Sequence, residues 1–188
     1  MSELKIGSLF SGYGGLDLGV MSVLGGKVVW HCEWDDAPSV VLDKHWPGVP
    51  NYRDVSMVDF SKVEKVDILT GGFPCQDVSL AGRRAGMSDG TRSGLWSEFA
   101  RAIEEIRPRL VVIENVRGLL SGKANSTVEH CSTCMGEREP ESVLRALGAV
   151  LGDLADLGYD ARWCGLPASE AGAPHQRFRI FIVAHPYC

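Results

Sequence analysis

Short apolar, β-branched runs alternate with helix-period runs along almost the whole chain, and this alternation constrains the fold more than any other feature. Lys5–Leu9 reads as a strand, followed by a glycine-rich turn and a helix from about Leu16 to Leu24. Val28–Cys32 is a second apolar run, and Asp36-Ala37-Pro38 opens a helix with a capping residue and an early proline. Val66–Thr70 is a third strand. Leu95, Phe99, Ile103 and Ile106 recur at helical spacing before Pro108, and Leu110–Glu114 is a strand of the buried type. Val143, Leu144, Leu147, Leu151 and Leu154 mark a last helix that ends at Gly158, and Ile180–Ala184 is the final strand. Repeated strand–helix units form a mostly parallel sheet with helices on both faces, an α/β fold. The longest irregular stretch is an inserted loop at about 118–140.

At 188 residues the chain is one domain. No apolar run approaches membrane-span length, and the start lacks a basic segment followed by an apolar one, so a cytoplasmic protein with no membrane partner is expected. The six cysteines are then reduced thiols, each a candidate for packing, metal binding or catalysis. A net charge of −5 argues against a domain that grips a phosphate backbone unaided, although Arg83, Arg84 and Arg92 crowd one segment.

Ligands of such sheets sit beyond the carboxyl ends of the strands. The residues of unusual chemistry fall there, at Phe10–Gly15, Glu33-Trp34, Gly71–Gln76 and Glu114-Asn115, which places them around one cleft. Gly12, Gly14 and Gly15 allow a tight turn and close backbone approach to a ligand, though alone they also fit a simple turn. Glu33, at the end of the second strand, can take both hydroxyls of a ribose, and Trp34 beside it offers a flat face to an adenine. The full dinucleotide spacing is missing and there is one acid for one ribose. A mononucleoside cofactor fits better than NAD.

Cys75 leaves a strand on the turn Gly71-Gly72-Phe73-Pro74, which displays the thiol instead of burying it. Glu114, at the mouth of an apolar strand, is partly desolvated and so a candidate proton carrier near neutrality. A loop thiol and a strand-end charge facing water are the plain alternatives. Together, a displayed thiol and a poised carboxyl make covalent catalysis with proton transfer coherent.

Phe10-Ser11-Gly12-Tyr13-Gly14-Gly15, Glu33-Trp34, Asp54, Gly72-Phe73-Pro74-Cys75-Gln76, Glu114-Asn115-Val116 and Arg177-Phe178-Arg179 resemble, in order and approximate spacing, the motifs of DNA cytosine-5 methyltransferases of bacterial and phage type. The resemblance runs from about residue 5 to residue 185. It implies a Rossmann-like fold that uses S-adenosylmethionine, with Phe10, Ser11, Gly12, Tyr13, Gly14, Gly15, Glu33, Trp34, Asp54, Val55, Pro74 and Leu95 at the cofactor. It further implies that Cys75 attacks C6 of a cytosine flipped from double-stranded DNA, because C6 is inaccessible within the stack. Glu114 then holds N3 and the exocyclic amine, Arg177 orients Glu114 and the base, and Arg179 supports that cluster. Gln76, Ser79, Arg83, Arg92 and Asn115 are the implied DNA contacts, the segment Asp77–Arg92 resembling a mobile loop that closes over DNA.

Departures accompany the matches. Ser8 stands where an aspartate is common, and His175 where a glutamine is common. The chain stops at Cys188, after the arginine motif, so the target-recognition region is expected elsewhere, cut off or on a separate chain of a split enzyme. Rival readings are an inactive remnant that binds cofactor or DNA, and a tRNA cytosine-5 methyltransferase. His130, Cys131 and Cys134 make half a zinc site without a second pair, so no metal is expected.

Overall fold

The computed structural model describes residues 3–74, 95–120, 123–127 and 143–187, with 123–127 and 143–145 described by backbone alone. The chain runs β1 (Lys5–Leu9), α1 (Gly15–Leu24), β2 (Lys27–Cys32), α2 (Asp36–His45), β3 (Ile68–Gly71), α3 (Leu95–Ile106), β4 (Leu110–Val116), β5 (Lys123–Thr127), β6 (Val143–Arg145), α4 (Ala146–Asp156), β7 (Tyr159–Pro167) and β8 (Phe178–Pro186). Short 3₁₀ turns occupy Val55–Met57, Arg117–Leu120 and Ala168–Ala171.

Six strands form one sheet in the order β2-β1-β3-β4-β8-β7. The β2–β1, β1–β3 and β3–β4 pairs are parallel, whereas β8 runs antiparallel to both β4 and β7. The difference follows from the connections. A helix carries the chain back across the sheet between β1 and β2, while the turn from β7 to β8 reverses it. The sheet is thus mostly parallel, with β8 alone running against the rest.

Both faces of the sheet are packed. On one side Val20 of α1 joins Ile6, Val28, Ile68 and Val112, with Leu16 and Met21 at the margin. On the other, Phe99, Ala102 and Ile103 of α3 and Leu147, Val150 and Leu154 of α4 pack with Leu69, Val111, Ile113, Ile180 and Ile182. Close packing leaves no room at Gly7, where a Cβ would stand 2.1 Å from the Trp30 ring. Burying each such aliphatic side chain contributes on the order of 1.5–3 kcal/mol.

Several boundaries differ from the sequence reading. The last helix starts at Ala146, because Val143–Arg145 pairs antiparallel with β5 as a separate two-stranded sheet. The stretch at 118–140 therefore includes a strand and part of a 3₁₀ turn. Strand β7 was not anticipated. Arg162, Trp163 and Cys164 are consecutively exposed on this sheet edge, so the period-2 signal of a half-buried strand is absent. Asp36 is the first residue of α2 and does not cap it; Asp35 holds the cap position without a side-chain bond, and Asp36 pairs with Arg53 instead. Among the described residues no helix is long and apolar enough to cross a membrane.

The register aligns the functional ends. Leu9 pairs with Cys32 and with Gly71, and Gly71 pairs with Ile113. The next residue on each strand, Phe10, Glu33, Gly72 and Glu114, therefore emerges at one edge of the sheet.

Candidate functional site

A cavity of about 850 Å³ opens at that edge. Its lining includes Phe10, Glu33, Trp34, Asp54, Val55, Pro74 and Leu95, all anticipated from sequence, together with Cys32, Asp35, Arg53, Ser56, Gly72 and Glu98. Glu33 is only 8% exposed, and its carboxylate is aimed by the main chain. Oε2 accepts from the Gly12 N–H at 2.7 Å and Oε1 from the Asp35 N–H at 2.8 Å. Each oxygen has a second lone pair for another donor. The Trp34 ring, 65% exposed, stands beside it as an uncovered flat surface.

Part of the cavity lining is held from α3. Arg101 donates to the carbonyls of Val55 and Val58, at 2.9 Å each, and pairs with Glu98 at 2.6 Å. Asp54 accepts from the N–H and hydroxyl of Ser56 and so caps the turn that carries Val55. Phe10 adopts a left-handed φ of 50° and stacks on Phe99 with ring centroids 6.4 Å apart.

The glycine turn acts less directly than the sequence suggests. Ser11, Gly12, Tyr13, Gly14 and Gly15 are not part of the lining. Ser11 donates to the Ser8 carbonyl, Gly12 donates to Glu33, and Tyr13 is 63% exposed. Gly14 takes φ 77° at the N-cap of α1, and a Cβ there would stand 2.5 Å from Trp46. The turn shapes the site by presenting the Gly12 N–H to Glu33.

At the neighbouring strand end, Arg179 Nε lies 2.5 Å from Glu114 Oε1, with side chains 21% and 30% exposed. The contact is an ion pair whose Nε–H is not aligned for a hydrogen bond. The antiparallel register sets Arg179 opposite Val116, two residues along β4 and on the same face as Glu114. Of the two arginines expected at Glu114, Arg179 makes the ion pair, whereas Arg177 is exposed just before β8. Asn115 also differs from expectation. It is 3% exposed and donates to the Phe73 carbonyl at 3.0 Å, tying the end of β4 to the turn after β3.

Cys75, Gln76, Ser79, Arg83 and Arg92 lie outside the described residues, as do Arg84, His130, Cys131 and Cys134. Among the described residues no cluster of His, Cys, Asp and Glu could hold a metal ion.

Nearby groups with shifted titration serve structure. Burial, reinforced by the charges of Asp54 and Glu33, pushes the Cys32 thiol up to about 12, and its Sγ donates to the Arg53 carbonyl at 3.3 Å. This cavity thiol stays protonated at neutral pH and is no nucleophile. Asp17 is 1% exposed; burial raises it to about 6, partly offset by bonds from Thr70 and from Ser8 at 2.8 Å. Burial lowers His31 to about 4. Sequence reading overlooked Asp17, Asn51 and Arg53. Asn51 and Arg53 lie in an aperiodic connection, and Asp17 shows itself only once α1 is docked on Ser8 and Thr70.

Residues 4–186 match the family model for C-5 cytosine-specific DNA methylase. The Type II methyltransferase M.NgoBV of Neisseria gonorrhoeae is 30% identical over 187 residues, covering 97% of this chain and 41% of that protein. M.Eco47II of Escherichia coli, also a Type II methyltransferase, is 41% identical over 177 residues, covering 82% of this chain and 41% of its own length. The chain therefore spans about 41% of these relatives. In fold it resembles the S. pombe Dnmt2 methyltransferase, with a TM-score of 0.71 at 18% identity over 97% of this chain and 51% of that one. A match over nearly the full sequence, on a sheet whose strand ends assemble Glu33, Trp34 and Glu114 at one edge, shows that the chain belongs to the C-5 cytosine-specific DNA methylase family.

Proposed function

We propose that the chain is the cofactor-binding and catalytic part of an enzyme that methylates C5 of cytosine in double-stranded DNA, with Cys75 as nucleophile. The observation that carries this reading is a shared wall. Gly72 lines the cavity, and a Cβ on it would stand 3.1 Å from Glu114 Oε2. One glycine therefore separates a chamber suited to a nucleoside from a carboxylate–guanidinium pair.

The lining fits an adenosyl group. Glu33 would take the ribose hydroxyls on its second lone pairs, Trp34 would stack on the adenine, and Asp54 and Val55 would meet its edge. S-adenosylmethionine held there supplies an electrophilic methyl group. Pro74 lines the cavity, and Cys75 is the next residue in sequence.

The Cys75 thiolate adds to C6 of a flipped cytosine and drives electron density toward C5. Glu114 shares a proton with N3 and stabilises the attacked ring, while Arg179 holds Glu114 in place. C5 would take the methyl group as the S–CH3 bond breaks, S-adenosylhomocysteine being the leaving group; a base, such as water, then removes the C5 proton, which restores the ring double bond and expels Cys75 as thiolate. The net charge of −5 leaves most of the DNA grip and the choice of target to a recognition region outside these 188 residues, whether in continuous sequence or on a separate chain.

Replacing the C5 hydrogen by fluorine blocks the final elimination. Duplex DNA carrying 5-fluorocytosine, incubated with cofactor, the chain and a recognition region, is expected to give a denaturant-resistant adduct mapped to Cys75 and abolished in Cys75→Ser. An adduct that persists in Cys75→Ser, or none at all with the recognition region present, overturns the proposal.

A further inference from the structure

Glu33 is fixed at its carboxylate by the Gly12 and Asp35 N–H groups, but a separate residue controls the peptide units on either side of it. Asn51 lies just beyond the edge strand β2, where the His31 N–H bonds to the Pro50 carbonyl and the Tyr52 N–H to the His31 carbonyl, in a single parallel bridge. From there its amide makes four contacts. Oδ1 accepts from the Glu33 N–H at 2.9 Å and the Arg53 N–H at 3.1 Å, and Nδ2 donates to the Glu33 carbonyl at 3.2 Å and Ser39 Oγ at 3.0 Å. The partners settle the orientation of the amide, because two N–H groups must face its oxygen and a carbonyl must face its nitrogen.

The network extends further. Ser39 Oγ also takes a bond from Arg53 Nη1 at 2.7 Å, and Arg53, at a left-handed φ of 64°, pairs through Nη2 with Asp36. Arg53 lines the cavity and precedes Asp54. Asn51 therefore joins the acid expected to meet the ribose, the first turn of α2 and the segment leading to Asp54.

We infer that Asn51 is a positioning residue for the cofactor's ribose, acting through Glu33; the inference rests on the reading of the cavity as the S-adenosylmethionine pocket. Rotation of the Glu33 backbone would swing its carboxylate away from the Gly12 N–H, and Asn51 prevents that rotation by clamping the N–H and the carbonyl of Glu33 together. No other side chain type of its length offers two acceptor sites and two donors in this arrangement. Aspartate keeps the acceptor side alone and sets an anion against the Glu33 carbonyl.

A role in positioning has a signature that general stabilisation lacks, namely dependence on the hydroxyls Glu33 would hold. Binding of S-adenosylhomocysteine and of its 2′,3′-dideoxy analogue to the 188-residue chain should be measured by calorimetry for the parent, Asn51→Ala, Asn51→Asp and Glu33→Ala. Asn51→Ala is expected to weaken the ribose ligand about 10-fold and the dideoxy ligand less than about 2-fold, the scale of one or two well-placed hydrogen bonds. Asn51→Asp should show the same selectivity, and it decides the matter if the alanine variant does not fold. Equal losses for both ligands, or no loss for either, overturn the role of Asn51. If Glu33→Ala itself binds both ligands like the parent, the pocket reading fails instead, and the two failures are distinguishable.

Discussion

Two carboxylates stand at the same edge of this sheet, beyond β2 and on β4 with β1 and β3 between them, and they are held in opposite ways. Glu33, beyond β2, is 8% exposed, with main-chain N–H groups on both oxygens and its own peptide units clamped by Asn51. Glu114, near the end of β4, has a side chain 30% exposed and rests against Arg179. A group that must only accept the same hydroxyls is served by rigid backbone donors, which cannot rotate away or change charge. A group that must give and take a proton needs a partner that tolerates a change in its charge, and room for a base to reach it. On the proposed reading, the difference separates binding from chemistry within one edge of one sheet.

The strongest test of that separation is Glu114→Gln in the presence of cofactor, DNA and a recognition region. Adduct formation with 5-fluorocytosine DNA should slow by about 100-fold or more, the usual contribution of a positioned proton donor. Cofactor affinity should stay within about 2-fold of the parent, since that change removes less than one hydrogen bond's worth of binding. A comparable loss of cofactor affinity would merge the two regions into one.

Glu33→Ala is the converse. Calorimetry should show S-adenosylmethionine binding weakened by about 30-fold, the scale of one charge-assisted hydrogen bond. Adduct formation at saturating cofactor should fall far less.

A finer cut comes from Arg179. Arg179→Lys keeps the charge but not the planar fork, so adduct formation should slow by about 10-fold, with Arg179→Gln slower still. Arg177→Gln should have the smaller effect of the two arginine positions, because Arg177 is exposed and Arg179 carries the ion pair. The opposite ranking would place Glu114 under Arg177 after all.

The smallest expected effect, the net slope of the parent's stability with pH, belongs to the Glu33 half of the sheet. Asp17, raised from 3.8 to about 6, contributes stability that is complete below pH 3.8 and lost as pH rises through about 6. His31, lowered from 6.5 to about 4, contributes stability present above pH 6.5 and lost as pH falls through about 4. Each swing is about 3 kcal/mol by linkage, and the two oppose one another across nearly the same window. Urea denaturation of the parent between pH 4 and 6 should therefore show little net slope from this pair. Asp17→Asn should gain stability as pH rises there, and His31→Leu should lose it. Parallel slopes in the two variants would show that one of the shifts has the wrong sign.

Most of the expected cofactor-pocket residues that line the cavity were readable in sequence, for a local reason. Phe10, Glu33, Trp34 and Glu114 each sit immediately after an apolar run or one residue further on, and the end of a strand is visible in sequence as the point where β-branched residues stop. Asn115 entered as a DNA contact only through the family resemblance, and its burial could not be read from sequence. Its role in holding the Phe73 carbonyl depends on β3 and β4 lying side by side. Strand β7 escaped notice because edge strands with outward-facing side chains need no alternation.

Periodicity and turn chemistry along the chain were enough to specify a parallel α/β sheet, the residues at its carboxyl edge and the kind of ligand they suit. These are short-range properties, encoded wherever neighbouring residues compete for helix, strand or turn. The partners of those residues came from the folded arrangement. Arg179 reaches Glu114 because β8 enters the sheet antiparallel beside β4, 65 positions later in the sequence, and Asn51 reaches Glu33 by a bridge from outside β2. Contacts between distant segments depend on register and strand direction, which no local pattern carries: the arginine motif was legible as a companion of Glu114, but which arginine meets it, and the part of Asn51, were not.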